Sequence, residues 1–235
     1  MRQNAKHIGI VACSAEGAAL CYRTICGEGE VLMGPHNHPE ISMHTFPFAA
    51  HVDCMRNDDW QSVADLLVAS GEKLARIGAD FLICPDNTAH KAMPLIGARA
   101  PLPWLHIADT VAQEALRRGY KKVGLTGTKA LVESDVYPEK LARAGVDFER
   151  ADSRERQEVD HIIFEELVRG VTTSESFRSL YAVAARMKTC GCEAVILGCT
   201  ELPLLAEGHE FPLPVLDSTR LLARAALAKA VDTSA

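Results

Sequence analysis

Apolar residues in this chain form short unbroken runs, and between the runs they recur every three or four positions. Short continuous apolar runs predict strands buried on both faces, and the wider spacing predicts amphipathic helices. The runs predict strands at Ile8–Ala12, Ile41–Phe46, Phe81–Cys84, Trp104–His106, Lys122–Leu125, Ala194–Leu197 and Leu213–Leu216.

The helical spacing alternates with these strands along the chain. It predicts helices at Ala15–Cys26, Trp60–Ile77, Ala108–Arg118, Pro138–Ala144, His161–Arg169, Ser174–Thr189 and Ser218–Val231. Strands that alternate with helices are typical of the α/β class, in which a parallel sheet is flanked by helices.

A weak internal symmetry predicts two similar lobes. Two apolar strands each follow a small-residue turn, and each ends in a polar cluster, Asp86–His90 in one case and Gly198–Glu201 in the other. Ligands of parallel α/β sheets bind beyond the carboxyl ends of the strands. We therefore expect a site in the cleft between two pseudo-symmetric lobes. The boundary near Pro101-Leu102-Pro103 assigns residues 1–100 with 210–235 to the first lobe and 101–209 to the second.

Composition narrows the class of protein. The chain has 235 residues, of which 48% are hydrophobic and 24% charged, and its net charge is -6. This balance offers no basic face for nucleic acid, and no apolar run reaches the roughly 20 residues of a membrane helix. The polar N-terminus does not resemble a signal peptide, so we expect a cytoplasmic protein that binds neither nucleic acid nor membrane.

The eight cysteines are too sparse for a disulfide scaffold, and we expect reduced thiols. Cys190 and Cys192 are separated by one residue, which is short of the usual zinc spacing. Cys199 is the strongest candidate for chemistry, because it follows Gly198 at the end of an apolar strand. Backbone N–H groups at the turn that follows would favour a thiolate there. The alternative is that Cys199 is a small buried core residue.

Asp86, Asn87 and Thr88 occupy the equivalent end of the earlier strand. Their carboxylate, amide and hydroxyl groups could bind a polar ligand. The same residue types are also common helix caps, and taken alone the cluster favours the cap. Its pairing with the Cys199 cluster is what favours a functional interpretation.

The two clusters resemble the catalytic motifs of the aspartate/glutamate racemase superfamily (Asp/Glu/hydantoin racemase family). Gly198–Leu205 resembles the second motif, and Asp86–His90 resembles the first, which usually reads Cys-Asn-Thr, a small or apolar residue, and His. The resemblance continues through segments in the family's order, at His106–Asp109, Val123–Thr128, Val159–Leu167 and Leu213–Ser218.

The resemblance implies an isomerase that racemises amino acids without pyridoxal phosphate or any other cofactor. In the family, two thiols face opposite sides of the α-carbon, where one removes the α-proton and the other returns a proton. Consistent with this, no lysine of the chain is flanked by a glycine-rich loop that would cradle a phosphate.

The sequence departs from the family where Asp86 replaces the first cysteine. A thiol and a carboxyl have reference pKa values of about 8.5 and 3.9, so an unperturbed pair would hold a thiol acid and a carboxylate base. Cys84, two residues earlier, is the alternative partner for Cys199. A single-thiol decarboxylase, a cis–trans isomerase of a dicarboxylate and a non-catalytic small-molecule sensor are alternative functions.

The resemblance also implies which residues contact the substrate. These are Ser14, Asn87, Thr88, Thr128, Thr200 and Glu201. The segment in which acidic-amino-acid racemases often carry an arginine here contains Glu40, which argues against an acidic substrate side chain. Arg169 is a weaker source of positive charge, and His36, His38 and His44 are weak metal candidates. We expect a homodimer that acts on an amino acid or small carboxylate.

Overall fold

The strands form two four-stranded parallel sheets in the computed structural model, which describes residues 5–232. The first sheet comprises β1 (Ile8–Ala12), β2 (Ile41–Thr45), β3 (Phe81–Ile83) and β4 (Trp104–Leu105). The second comprises β5 (Lys122–Thr126), β6 (Asp147–Arg150), β7 (Ala194–Leu197) and β8 (Val215–Asp217). The strand orders are β2-β1-β3-β4 and β6-β5-β7-β8, so the same topology occurs twice.

The chain divides into two compact units, each built on one sheet. The first takes in the described chain through Ile107 together with the segment from Thr219, and the second is Ala108–Ser218. Helices connect the strands, as expected for parallel pairing.

The helices of the first unit are α1 (Ala15–Met33), α2 (Phe48–Arg56), α3 (Trp60–Arg76) and the short α4 (Met93–Ile96). The next helix, α5 (Ile107–Arg117), begins where the chain leaves this unit. The second unit contains α6 (Lys129–Val132), α7 (Pro138–Arg143), α8 (Ser153–His161), α9 (Ser174–Thr189) and α10 (Leu202–Ala206). The last helix, α11 (Ser218–Val231), returns the chain to the first unit.

Both faces of the first sheet are covered. Ile8 and Ile10 of β1 pack with Leu222 of α11, whereas Val11 packs with Leu67 of α3. Each of these side chains is fully buried, which stabilises the fold by about 1.5–3 kcal/mol per large aliphatic residue. The unbroken apolar pattern of β1 is therefore that of a central strand, as its sequence predicts.

Several segments differ from the prediction: α2, α4, α6 and α10 were not predicted, and α1 extends to Met33 rather than Cys26. Two further differences have a clear physical reason. The strand β6 has the sequence Asp-Phe-Glu-Arg and lies at a sheet edge, so it lacks the apolar run that marks a central strand. The helix predicted at His161–Arg169 begins instead at Ser153, where Asp152 and Glu155 form a capping box. Beyond His161 the chain continues as a π-turn over Ile162–Glu166.

No helix within the described part of the chain is long and apolar enough to cross a membrane.

Candidate active site

In the second unit, two glycines bring the ends of β5 and β7 into close contact. A Cβ on Gly198 would lie 2.5 Å from the Thr126 carbonyl oxygen, and one on Gly127 would lie 2.9 Å from the Gly198 carbonyl oxygen. The Gly198 N–H donates to the Thr126 carbonyl over 3.0 Å. The loops that carry Thr128 and Cys199 therefore run side by side, at a spacing that a side chain on either glycine would prevent.

The Cys199 loop forms a buried polar cluster. The Cys199 thiol donates to Glu201 Oε2 over 2.9 Å, and the Thr200 hydroxyl donates to the same oxygen over 2.8 Å. All three side chains are buried, with Glu201 only 4% exposed. A buried carboxylate is retained when hydrogen bonds compensate for its lost hydration, and these two donors do so in part.

Thr128 follows the glycine turn at the end of β5. Its hydroxyl accepts from the Leu131 N–H over 3.2 Å and caps the short helix α6. In the first unit, Ser14 follows β1 and its hydroxyl accepts from the Gly17 N–H to cap α1. The two predicted contact residues therefore occupy equivalent places in the two units, each at a strand end with its side chain in a helix cap.

Asp86 lies in the turn after β3. Its Oδ1 accepts from the Ala89 N–H over 2.9 Å, so the carboxylate caps the 3-10 turn Thr88–Ala92. The side chain remains half-buried, whereas Asn87 is 2% exposed. The capping role considered from the sequence is therefore present, and the carboxylate that plays it is half-buried.

Cys84 occupies a different environment from Asp86. Its thiol is fully buried and lies 3.9 Å from the Cys13 sulfur, and the Cys13 sulfur lies 3.8 Å from His51 Nδ1. The hydrogen bond with Cys84, together with burial, raises the pKa of the Cys13 thiol well above its usual value. Cys84 packs in the core against α3, whereas Asp86 is half-buried in the turn after β3.

The weaker candidates take part in local contacts. Arg169 pairs with Glu165 over 2.7 Å on the surface of the second unit. His44 Nδ1 lies 2.8 Å from Ser70 Oγ, its Nε2 lies 2.9 Å from Lys73 Nζ, and burial with the Lys73 charge lowers the pKa of His44. His38 Nδ1 lies 2.8 Å from the Pro39 carbonyl. Between residues 5 and 232, no three His, Cys, Asp or Glu side chains form a group that could hold a metal ion.

Sequence reasoning missed one hydrogen bond and one cluster of side chains. Glu201 was expected to bind substrate, and its hydrogen bond with Cys199 depends on a side-chain rotamer that spacing does not reveal. The cluster of Cys13, Cys84 and His51 joins three elements of the first unit. β1 and β3 are adjacent parallel strands, and Cys13 and Cys84 each directly follow one of them. Their position at the ends of two predicted strands was the signal that the sequence offered for this contact.

With this geometry established, comparison with known proteins identifies the family. Residues 10–226 match the Asp/Glu/hydantoin racemase family. The chain belongs to this family. It is 23% identical over 188 residues to the broad specificity amino-acid racemase RacX of Bacillus subtilis (strain 168), an alignment that covers 80% of each chain. It is 27% identical over 146 residues to the glutamate racemase of Limosilactobacillus reuteri (strain DSM 20016), covering 62% of this chain and 53% of that protein.

Solved structures of this racemase family share the fold. A candidate Asp/Glu racemase from Yersinia pestis superposes with a TM-score of 0.88 at 30% identity, covering 97% of this chain and 100% of that chain. An aspartate racemase homologue from Pyrococcus horikoshii OT3 superposes with a TM-score of 0.81 at 27% identity, with 97% and 100% coverage. These similarities confirm the predicted family and the predicted α/β fold with two parallel sheets.

Proposed function

We propose that this member of the family is a cofactor-independent amino-acid racemase that removes and returns the α-proton. Family membership and racemase relatives support the reaction class. The observation that carries the proposal is the buried hydrogen bond from the Cys199 thiol to the Glu201 carboxylate, at 2.9 Å. A thiol held against a buried carboxylate can lose its proton to a defined acceptor, and the thiolate is the basic form of cysteine.

In one direction, Glu201 takes the thiol proton of Cys199, and the thiolate removes the α-proton of the substrate. The electron pair of the broken C–H bond stays on the substrate as a carbanion, which a proton from Asp86 converts to the opposite enantiomer. In the other direction, the Asp86 carboxylate removes the α-proton, the Cys199 thiol delivers a proton to the carbanion, and Glu201 returns its proton to the Cys199 thiolate. The two groups are proposed to act on opposite faces of one α-carbon.

What supports Asp86 in this role is its equivalent position. Asp86 follows β3 and Cys199 follows β7, and these strands occupy the same place in the two strand orders. Asp86 also keeps a half-buried carboxylate, whereas Cys84 packs in the core. Ser14, Asn87, Thr88, Thr128 and Thr200 are proposed to surround the substrate from the same strand ends.

The substrate is proposed to be an amino acid whose side chain need not be acidic. Glu40 does not support this choice as the sequence suggested, because it precedes β2 next to His7 and Ile8, at the edge of the first sheet opposite the strand ends that carry Ser14 and Asp86. The Bacillus relative is a broad specificity amino-acid racemase. A panel of single-enantiomer amino acids with neutral, basic and acidic side chains is therefore the appropriate substrate set.

The test is α-deuterium uptake. Each amino acid is incubated with the protein in D2O, and proton NMR with chiral chromatography follows exchange and inversion. We expect exchange accompanied by inversion for at least one amino acid, with loss of inversion in Cys199→Ser. No exchange from any member of the panel in the parent protein would contradict the proposal.

One observation favours a second candidate, a single-thiol enzyme that protonates from one side. Asp86 Oδ1 is held by the Ala89 N–H, which is the contact of a structural cap. If Asp86 serves only as a cap, Cys199 alone could complete a decarboxylation or cis–trans isomerisation by stereospecific protonation. Exchange with retention, or turnover of a dicarboxylate without amino-acid inversion, would favour this alternative.

A further inference from the structure

We propose that His90 is a positioning residue that holds the Asp86 turn against the first residue of α5 through both nitrogens of its ring. This inference deepens the proposed function, because it assigns the placement of Asp86 to a specific side chain. His90 itself is not proposed to exchange protons with the substrate.

The imidazole of His90 bridges two backbone groups that are distant in sequence. Its Nδ1 lies 2.7 Å from the Asp86 carbonyl oxygen, and its Nε2 accepts from the Ile107 N–H over 3.2 Å. The side chain is 1% exposed, and its ring packs edge-on against His106 with centroids 4.5 Å apart. Both nitrogens are thus used, and water does not compete for either.

These contacts specify the chemical form of the ring. A carbonyl oxygen can only accept, so Nδ1 must carry the hydrogen, and the Ile107 N–H can only donate, so Nε2 must be unprotonated. Ile107 is the first residue of α5, where backbone N–H groups lack partners within the helix. A neutral ring with its hydrogen on Nδ1 accepts a hydrogen bond from the N–H at the start of this helix. A doubly protonated ring could not accept it, and its positive charge would be repelled by the helix N-terminus.

The bridge fixes the reactive turn on two sides. The Asp86 carbonyl is held by His90, while the Asp86 carboxylate is held by the Ala89 N–H. The main chain and the side chain of Asp86 are therefore both constrained. The main chain is anchored through His90 to the start of α5. Displacement of a reacting group by about 1 Å can cost about a hundredfold in rate.

The second unit contains a corresponding bond. The Ser218 hydroxyl donates to the Leu197 carbonyl over 2.9 Å. Ser218 is the first residue of α11, through which the chain returns to the first unit, and Leu197 lies two residues before Cys199. In each unit, a side chain therefore joins the reactive strand end to the first residue of the departing helix.

Two variants separate the two ends of the bridge. In His90→Gln, the side-chain amide extends to the position of Nε2 and keeps an acceptor for Ile107, but it loses the donor to Asp86. In His90→Asn, the shorter amide keeps a donor near Nδ1 but loses the contact with Ile107. Lys91→Gln is the matched control, because Lys91 belongs to the same turn but points to Asp58 and the Trp60 ring.

The first measurement does not depend on activity. Amide hydrogen exchange of Ile107, compared with the global unfolding rate of each variant, reports the Nε2 contact. We expect the Ile107 amide to lose protection in His90→Asn and to keep it in His90→Gln and Lys91→Gln. Equal protection in all three folded variants would overturn the bridge, whatever the substrate of the protein.

The second measurement tests positioning. In His90→Gln we expect kcat to fall roughly ten- to hundredfold with KM nearly unchanged, and the ratio of initial deuterium uptake from the two enantiomers to change. In an Asp86→Asn background, the same substitution should leave the residual Cys199-dependent exchange unaltered. An unchanged ratio in His90→Gln would overturn the positioning role, whereas absence of exchange in the parent protein would overturn the proposed function instead.

Discussion

The thiol of Cys199 and the carboxylate of Glu201 lie two residues apart in the chain and 2.9 Å apart in space, both buried. The turn after β7 brings the two side chains onto the same side, and the Thr200 hydroxyl adds a second donor to the same carboxylate oxygen. A thiol in this environment has its proton acceptor already in place before a substrate arrives.

Glu201→Gln tests that relationship. The amide is nearly the same size and can still accept a hydrogen bond from the thiol, but it cannot take up a proton at neutral pH. We expect kcat to fall roughly a hundredfold, within the range typical of a lost general base. The measurement is the initial rate of α-deuterium uptake, and a rate within about twofold of the parent would show that Glu201 only binds the thiol.

Cys199→Ser should remove turnover while the fold is kept. A serine hydroxyl fits the site but is a far weaker acid than a thiol, and the loss should reach about 10⁴-fold or the detection limit. Cys190→Ser is the control, since Cys190 is exposed in the turn before β7. Substantial activity in Cys199→Ser, with a melting curve like that of the parent, would remove Cys199 from the mechanism.

Gly198→Ala should destabilise the second unit. Its Cβ would lie 2.5 Å from the Thr126 carbonyl oxygen, which belongs to the backbone of β5 and cannot rotate away. Overpacking of this kind costs about 1–3 kcal/mol, and we expect that decrease in the free energy of unfolding.

Gly27→Ala provides the matched comparison. Gly27 is an exposed residue within α1, and a Cβ there would meet nothing within 4 Å. Alanine in a helix should raise the free energy of unfolding by about 0.5–1 kcal/mol. Urea denaturation measures both variants, and similar values for the two would contradict the close approach of β5 and β7.

The central strands could be predicted from the sequence because they are buried on both faces, as Ala194–Leu197 shows. The edge strand β6 could not be predicted in this way, because it pairs with a neighbouring strand on one side only and its residues are partly polar. For the same reason, the charged helix α8 is defined by its Asp152 cap and its packing rather than by an apolar period.

In the candidate site, too, some features could be predicted from the sequence and others could not. Motif residues such as Cys199 and Asp86 are recognisable from their position after an apolar strand. The bond of Cys199 to Glu201, and the bridge from His90 to Ile107, depend on rotamers and on contacts between residues 17 positions apart. Such contacts depend on the packed fold, and the local pattern of apolar and polar residues does not predict them.

The stability of the second unit should depend on pH through Glu114. Hydrogen bonds from Arg117, and also from Arg118, lower the pKa of Glu114 to about 2. A carboxyl whose pKa is lower in the folded state stabilises the fold above its unfolded pKa of about 4.3, and that contribution is lost as the pH falls toward 2. Because the arginines are partly exposed, solvent screening reduces the effect, and Glu114→Gln should cost about 1 kcal/mol at pH 7.

The control for Glu114 is Glu139→Gln. Glu139 pairs with Arg143, but both side chains are more than half exposed, so its removal should change stability very little. Urea denaturation at pH 7 and at pH 3 gives the comparison. We expect the difference between Glu114→Gln and the parent to shrink at the lower pH, and a constant difference would exclude the ionised pair as its source.

Asp86 distinguishes the two-sided reaction from one-sided protonation. Asp86→Asn keeps an oxygen that can accept from the Ala89 N–H, so the cap and the fold should be preserved. An amide cannot remove or return a proton, and we expect inversion to be lost while Cys199 still exchanges the α-proton of one enantiomer. Asp86→Cys supplies the pair of thiols that the resemblance to the family implies, but it loses the oxygen cap, at a cost of about 1 kcal/mol in stability. It should remain a racemase, and deuterium uptake from the two enantiomers should become more nearly equal than in the parent protein. Full inversion in Asp86→Asn would show that the carboxylate is a cap alone, and would move the second proton to another group.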